Sequence, residues 1–132
     1  MGTASLAILL LVALGGCATQ TVENRKAEKP AVYQALSPEF REAVDQGKVK
    51  AGMSMDAVYL AWGKPSQVTQ TGTWDKEEVA WIYSKMYTEA THYVGYRGRM
   101  FTGYTSGNYI KAEVVFRNGL VETWETLADP AR

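Results

Sequence analysis

The sequence predicts a two-layer α+β domain in which two short N-terminal helices pack on a three-stranded antiparallel sheet. Three observations predict it: two capped segments of helical periodicity between Ser37 and Pro65, an alternating apolar run from Glu78 to Tyr87, and an Asn118-Gly119 dipeptide between two further runs. A chain of 132 residues with 46% hydrophobic and 21% charged residues has the length and composition of one such domain.

The first helix opens at Ser37-Pro38, where serine caps free amides and proline tolerates the first helical position. Phe40, Ala43 and Val44 share its face, and Gly47 stops it, which predicts a helix over Pro38 to Gln46. The second helix has Ser54 as cap, Asp56 in its first turn and Met53 placed to reach Val58 as a hydrophobic staple. Met55, Val58, Tyr59 and Trp62 recur at helical spacing until Gly63-Lys64-Pro65 ends the helix.

Val79, Trp81 and Tyr83 alternate along the first strand, Glu78 to Tyr87. Ile110 to Arg117 and Leu120 to Leu127 then flank Asn118-Gly119, a pair suited to the positive φ angles of a two-residue hairpin turn. Such a turn sets Phe116 opposite Val121 and Val114 opposite Thr123, with Glu113 and Glu122 on the other face. The apolar face requires a cover, and the two helices supply it.

At the N-terminus, residues 4 to 14 form an uncharged apolar run too short to span a bilayer as a helix, which reads as the core of a secretory signal. Leu14-Gly15-Gly16-Cys17 follows and resembles the bacterial lipobox. That resemblance implies a signal peptide over residues 1–16, cleavage before Cys17, and diacylglycerol on the cysteine thiol. The several acyl chains of such an anchor hold durably where one holds only marginally. Ala18, in place of the aspartate that favours inner-membrane retention, points to the outer membrane with the domain facing the periplasm. Residues 17–36 are polar, mixed in charge and poor in apolar content, and they read as a flexible tether with a reach of about 25 Å. The folded domain is accordingly expected over residues 37–132.

Fourteen basic residues balance fourteen acidic ones, so no net field draws the chain to nucleic acid. With one cysteine and one histidine, His92, the sequence offers no metal-ligand cluster, and no cofactor is implied. Catalysis needs clustered groups that this sequence does not supply: Glu77-Glu78 is the one adjacent acidic pair, and on a strand its side chains point apart. The reading is therefore of a non-enzyme, with His92 a loop or strand residue.

Val49, Gly52-Met53, Val58, Ala61-Trp62-Gly63-Lys64-Pro65, Trp81 with Tyr83, Val114, Phe116 and Asn118-Gly119-Leu120 together resemble the pattern of the SmpA/OmlA, or BamE-like, lipoproteins. These are small components of the outer-membrane protein assembly machinery. The resemblance covers residues 47–126 and implies the two-layer fold shared with the β-lactamase inhibitor group, whose members bind proteins through the sheet. Its motifs encode a helix start, a helix stop and a hairpin, so it bears on fold more than on function.

Residues 88–108 form a long connection between the first two expected strands, rich in glycine, tyrosine and arginine. Tyr93, Tyr96, Arg97, Arg99, Phe101 and Tyr104 make it the candidate partner-binding segment, since Tyr and Arg dominate binding hot spots and arginines pair with carboxylates or lipid phosphates. The bland alternative is an extended hairpin whose aromatics pack on the sheet. The expected partners are envelope or outer-membrane proteins; peptidoglycan or lipid binding through exposed Tyr and Trp is the second reading.

Overall fold

The computed structural model describes residues 20–128; the segment read as a signal sequence, Cys17 with its expected lipid, and residues 129–132 lie outside the described residues. It is an α+β fold with four helices, α1 (Val22–Glu28), α2 (Pro30–Ala35), α3 (Pro38–Asp45) and α4 (Met55–Trp62). One antiparallel meander follows: β1 (Gln67–Thr73), β2 (Lys76–Val94), β3 (Met100–Arg117) and β4 (Leu120–Thr126), in that spatial order.

The two expected helices form where their caps placed them. Ser37 accepts from the Phe40 amide and Ser54 from the Ala57 amide, at 3.3 and 3.2 Å. At the end of α3 the Lys48 amide reaches back to the Ala43 carbonyl and the Gly47 amide to that of Val44, the double bond of a Schellman stop. Met53 and Val58, expected to form the staple, are both fully buried in the core. That core joins Val44, Met53, Val58 and Leu60 from the helical layer to Val79, Val114, Phe116 and Val121 of the sheet, with Trp81 edge-on to Phe116 at 5.0 Å.

Four features differ from the sequence-based expectation. The segment read as a tether folds: α1 and α2 occupy most of it, and Arg25, in α1, is only 5% exposed. Its guanidinium donates to the carbonyls of Leu60 and Ala61, at 2.9 and 2.8 Å, and to that of Gln20. Leu60 and Ala61 lie in the last turn of α4, where carbonyls lack intrahelical partners and the helix dipole favours a cation. Arg41 serves α2 in the same way, through the carbonyls of Gln34 and Leu36. Polar composition concealed this because the apolar content is small and the partners lie 35 and 36 residues away.

The sheet has four strands, and the additional one is β1. Every residue of β1 is exposed, so no alternation marks it; it pairs with β2 from Gln67 opposite Ile82 to Thr73 opposite Lys76. The two central strands are far longer than the first reading expected, and residues 88–108 form the extended hairpin of the alternative reading: most of them continue β2 and β3 in unbroken pairing. The last correction is in register. Phe116 does face Val121, but a bulge between Val115 and Phe116 sets Thr123 against Val115 and Trp124 against Val114.

Candidate protein-binding arm

The meander is four strands wide only near the helices. β1 ends its pairing at Ile82 and β4 ends at Ala112, whereas β2 and β3 run on together from Ser84 opposite Ile110 to Val94 opposite Met100. A second bulge, between Tyr83 and Ser84, marks the point of departure and leaves Lys111 without a partner in the β2 register. The result is a two-stranded arm of eleven residue pairs, about 35 Å long at the rise of an antiparallel strand.

Strand alternation gives the arm two faces. The face continuous with Tyr83, and hence with the helical side of the sheet, carries Tyr87 and Tyr93 from β2 and Phe101 and Tyr109 from β3. Between them stand Gly103 and Gly107, and the aromatic rings lie over this bare backbone. A Cβ at Gly107 would stand 2.9 Å from the Tyr87 ring, and one at Gly103 would stand 3.4 Å from that of Tyr93. Rings covering cross-strand glycines restore the packing that glycine removes from a strand. Tyr93 and Phe101 stack with centroids 5.6 Å apart and an interplanar angle of 17°, and Tyr87 meets Tyr109 at 6.2 Å.

The reverse face carries Met86, Ala90 and Val94 opposite Asn108, Tyr104 and Met100, with Ile110 at the base. Met86, Val94, Met100 and Tyr104 are all more than half exposed. His92 is on this face of β2, within 3.2 Å of the Thr102 hydroxyl.

At the far end five residues close the hairpin. Gly95 donates to the Arg99 carbonyl at 2.7 Å, Gly98 donates back to Gly95, and a single 3-10 turn spans Tyr96–Gly98. Arg97 occupies the left-handed region at φ 64° and ψ 28°, a conformation that costs a non-glycine residue about 1 kcal/mol. Its guanidinium lies over the Tyr96 ring at 5.4 Å, and Tyr96 is 83% exposed.

The expected site residues therefore divide. Tyr93, Tyr96, Arg97, Arg99 and Phe101 come together at and beside the tip, whereas Tyr104 lies opposite Ala90 on the other face and does not join them. Sequence reading missed the reverse-face residues Met86, Val94, Met100 and Ile110; the positions of that face through 84–94 are Ser, Met, Thr, Ala, His and Val, which give no period-two apolar signal.

Elsewhere the polar side chains serve structure. Tyr83 donates to the Gly63 carbonyl at 3.0 Å, and burial pushes its phenol well above the ordinary tyrosine range. Trp62 donates to the Gly47 carbonyl at 2.8 Å and meets the edge of Tyr83. The groove beside these two rings, about 410 Å³, is lined by Gly47, Ala61, Lys111, Ala112 and Thr126 and offers no carboxylate or imidazole. Glu77 and Glu78 diverge, one accepting from Gln70 and the other 3.7 Å from Arg117. Among the described residues no group of three or more His, Cys, Asp or Glu side chains converges as metal ligands would.

Comparison with protein-family models, with curated proteins and with solved structures finds no match for this chain.

Proposed function

We propose that this chain is an envelope lipoprotein, held at the outer membrane through Cys17, that acts as a non-catalytic accessory by presenting the arm tip to a protein partner. The observation that carries the reading is the arm itself. A ribbon that leaves the sheet and exposes Tyr93, Tyr96, Val94, Met100 and Phe101 contributes little to the domain core, so its apolar surface is available to a partner. Its tip combines the residue types that dominate interface energetics, and Arg97 is held in a strained conformation that keeps its guanidinium over an exposed ring.

The anchor and the arm fit one another functionally. Confinement to a membrane surface raises the effective concentration of a tip that buries only a modest area, so weak binding suffices. The likeness of the helix-stop and hairpin residues to the BamE-like lipoproteins supports a place in outer-membrane protein assembly or envelope maintenance.

The test is capture from the native membrane. With a photo-crosslinking residue at Tyr93, the full chain is expected to trap a defined envelope protein. Changing Tyr96, Arg97 and Arg99 together to alanine is expected to lower the yield about tenfold or more, as loss of a hot spot does. Undiminished capture by the triple variant, or crosslinks to peptidoglycan or lipid alone, sinks the protein-partner reading. Mass spectrometry of the mature chain tests the anchor: an unmodified Cys17 thiol on a chain retaining Met1 overturns it.

A further inference from the structure

Among the described residues the arm leaves two strand edges unpaired, and they are not equivalent. Along β2 the edge from Ser84 to Val94 carries Lys85 and Glu89, charges of the kind that blunt an exposed edge. Along β3 the edge from Met100 to Ile110 has no charge and no proline over eleven residues. A bare two-stranded ribbon with such an edge is at best marginally stable in water and is a template for another strand.

The hydrogen-bond phase shows which groups are on offer. Because Gly95 and Arg99 are bonded across the tip, alternation makes the odd-numbered residues of the arm, such as Tyr93 and Phe101, bond between β2 and β3. The even-numbered residues of β3 therefore aim their amides and carbonyls outward: Thr102, Tyr104, Ser106 and Asn108.

The side chains along this edge are self-complementary. Centred on Thr105, the sequence Met-Phe-Thr-Gly-Tyr-Thr-Ser-Gly-Asn-Tyr-Ile has the same residue class at equal distances to either side at nearly every step. A second β3 laid antiparallel about that centre brings Met100 opposite Ile110, Phe101 opposite Tyr109, Thr102 opposite Asn108 and Gly103 opposite Gly107. This register also satisfies the backbone, since it pairs even-numbered residues only with even-numbered ones. Tyr104 faces Ser106 in an outward-bonded pair, and the two Thr105 residues meet in a non-hydrogen-bonded one.

We propose that the β3 edge of the arm is an interaction surface for a second copy of this chain, joined isologously about Thr105. The two arms become one four-stranded ribbon, β2-β3-β3-β2, with about eight new main-chain hydrogen bonds, two for each of four narrow pairs. The uncharged edges are buried at its centre, and the edges bearing Lys85 and Glu89 lie outside. The tips lie at opposite ends of the ribbon, each beside the base of the other copy, where its β3 passes from the arm to its pairing with β4. This inference stands whether or not the tip captures a partner.

Cysteine crosslinking of the full chain in its native membrane tests it. In Thr105→Cys the two thiols face each other across a non-hydrogen-bonded pair, where Cα atoms lie about 4.5 Å apart and a disulfide can close. In Thr91→Cys, on β2, the thiols of the ribbon lie three strand spacings apart across it and four residues apart along it, about 20 Å in all, and cannot join. Wild type, with Cys17 alone, reports crosslinking through that thiol. The expected result is a disulfide dimer of Thr105→Cys at least about fivefold above both controls. Adding Ser106→Pro to Thr105→Cys removes an outward amide without touching the β2–β3 ladder, and is expected to return the dimer to control level. Dimer no more abundant from Thr105→Cys than from Thr91→Cys, or dimer that survives Ser106→Pro, overturns the proposal. Photo-crosslinking from Tyr93 in the Ser106→Pro variant reads partner capture separately, so failure of either idea leaves the other standing.

Discussion

Arg25 shows how one side chain can decide the fate of a whole segment. Its planar fork meets two carbonyls in the last turn of α4 at once, and its burial disfavours the charged form, lowering its pKa, while the bonds and the dipole of α4 hold it in place. Arg25→Ala strands those carbonyls and opens a void, and is expected to destabilise the domain by about 2–3 kcal/mol in urea unfolding. Arg25→Lys should recover little of the loss, since one ammonium cannot reproduce a bidentate fork. Gly63, beside it, has φ 83°, and a Cβ there would stand 3.3 Å from the guanidinium, so glycine is needed for both conformation and space. In the core, Phe116 is fully buried beneath Trp81; Phe116→Ala is expected to cost about 3–5 kcal/mol, read as a fall in the denaturant midpoint with little change in slope.

Among the elements, α1 and α2 are fastened to α3 and α4 by polar clasps. Asp45 accepts from Lys26 and from the Tyr33 hydroxyl, both at 2.8 Å, with the Lys26 ammonium over the Tyr33 ring. Lys29 pairs with Asp56, and Tyr59 donates to Glu28. The bond from Lys26, then that from Tyr33, holds the Asp45 carboxyl below its ordinary range, so its contribution is present at neutral pH and lost as pH falls through that depressed value. The bond to Asp45 pushes Lys26 up to about 12, so its contribution is complete below the ordinary lysine value of 10.5 and lost only as pH rises through 12. Docking of α1 and α2 is thus expected to loosen in acid and persist to mild alkali. Asp45→Asn should flatten the acid limb of thermal stability; an unchanged limb would place the acid sensitivity elsewhere. These clasps are exposed and individually weak, so they orient the helices, while Arg25 and the apolar contacts of Val22, Val32, Tyr33 and Leu36 hold them.

At the scale of the molecule, the described chain is a compact base and a projecting arm, and the base begins far nearer Cys17 in sequence than composition indicates. Deleting residues 20–36 while keeping Cys17 separates two accounts. A tether can be shortened without loss of stability, whereas removing α1 and α2 exposes the flank of α4 and is expected to lower the melting temperature by several degrees. The arm inherits its direction from the base, because the bulge at Ser84 and the ends of β1 and β4 fix where two strands leave four. It follows that tip variants should impair capture while leaving the unfolding of the base unchanged.

What the sequence by itself determined was whatever local chemistry specifies: the caps at Ser37 and Ser54, the stops at Gly47 and Gly63, the Asn118-Gly119 turn, and the buried alternation of Val79, Trp81 and Tyr83. Each needs only neighbours in the chain, so each is legible in order along it. Tertiary structure alone decided the rest. β1 has no buried face and is a strand because β2 offers it an edge. The bulge that trades Thr123 for Trp124 opposite Val114 depends on pairing across the turn. Arg25 and Lys26 find carbonyls and a carboxylate distant in sequence, which turns a polar stretch into two docked helices. The tyrosines of residues 88–108 announced a binding segment, but only the register shows Tyr93 and Phe101 stacked on one face, Tyr104 on the other, and an uncharged strand edge between them. Long-range hydrogen bonds and cross-strand contacts carry no periodic trace in one chain, and for that reason the arm had to be seen folded.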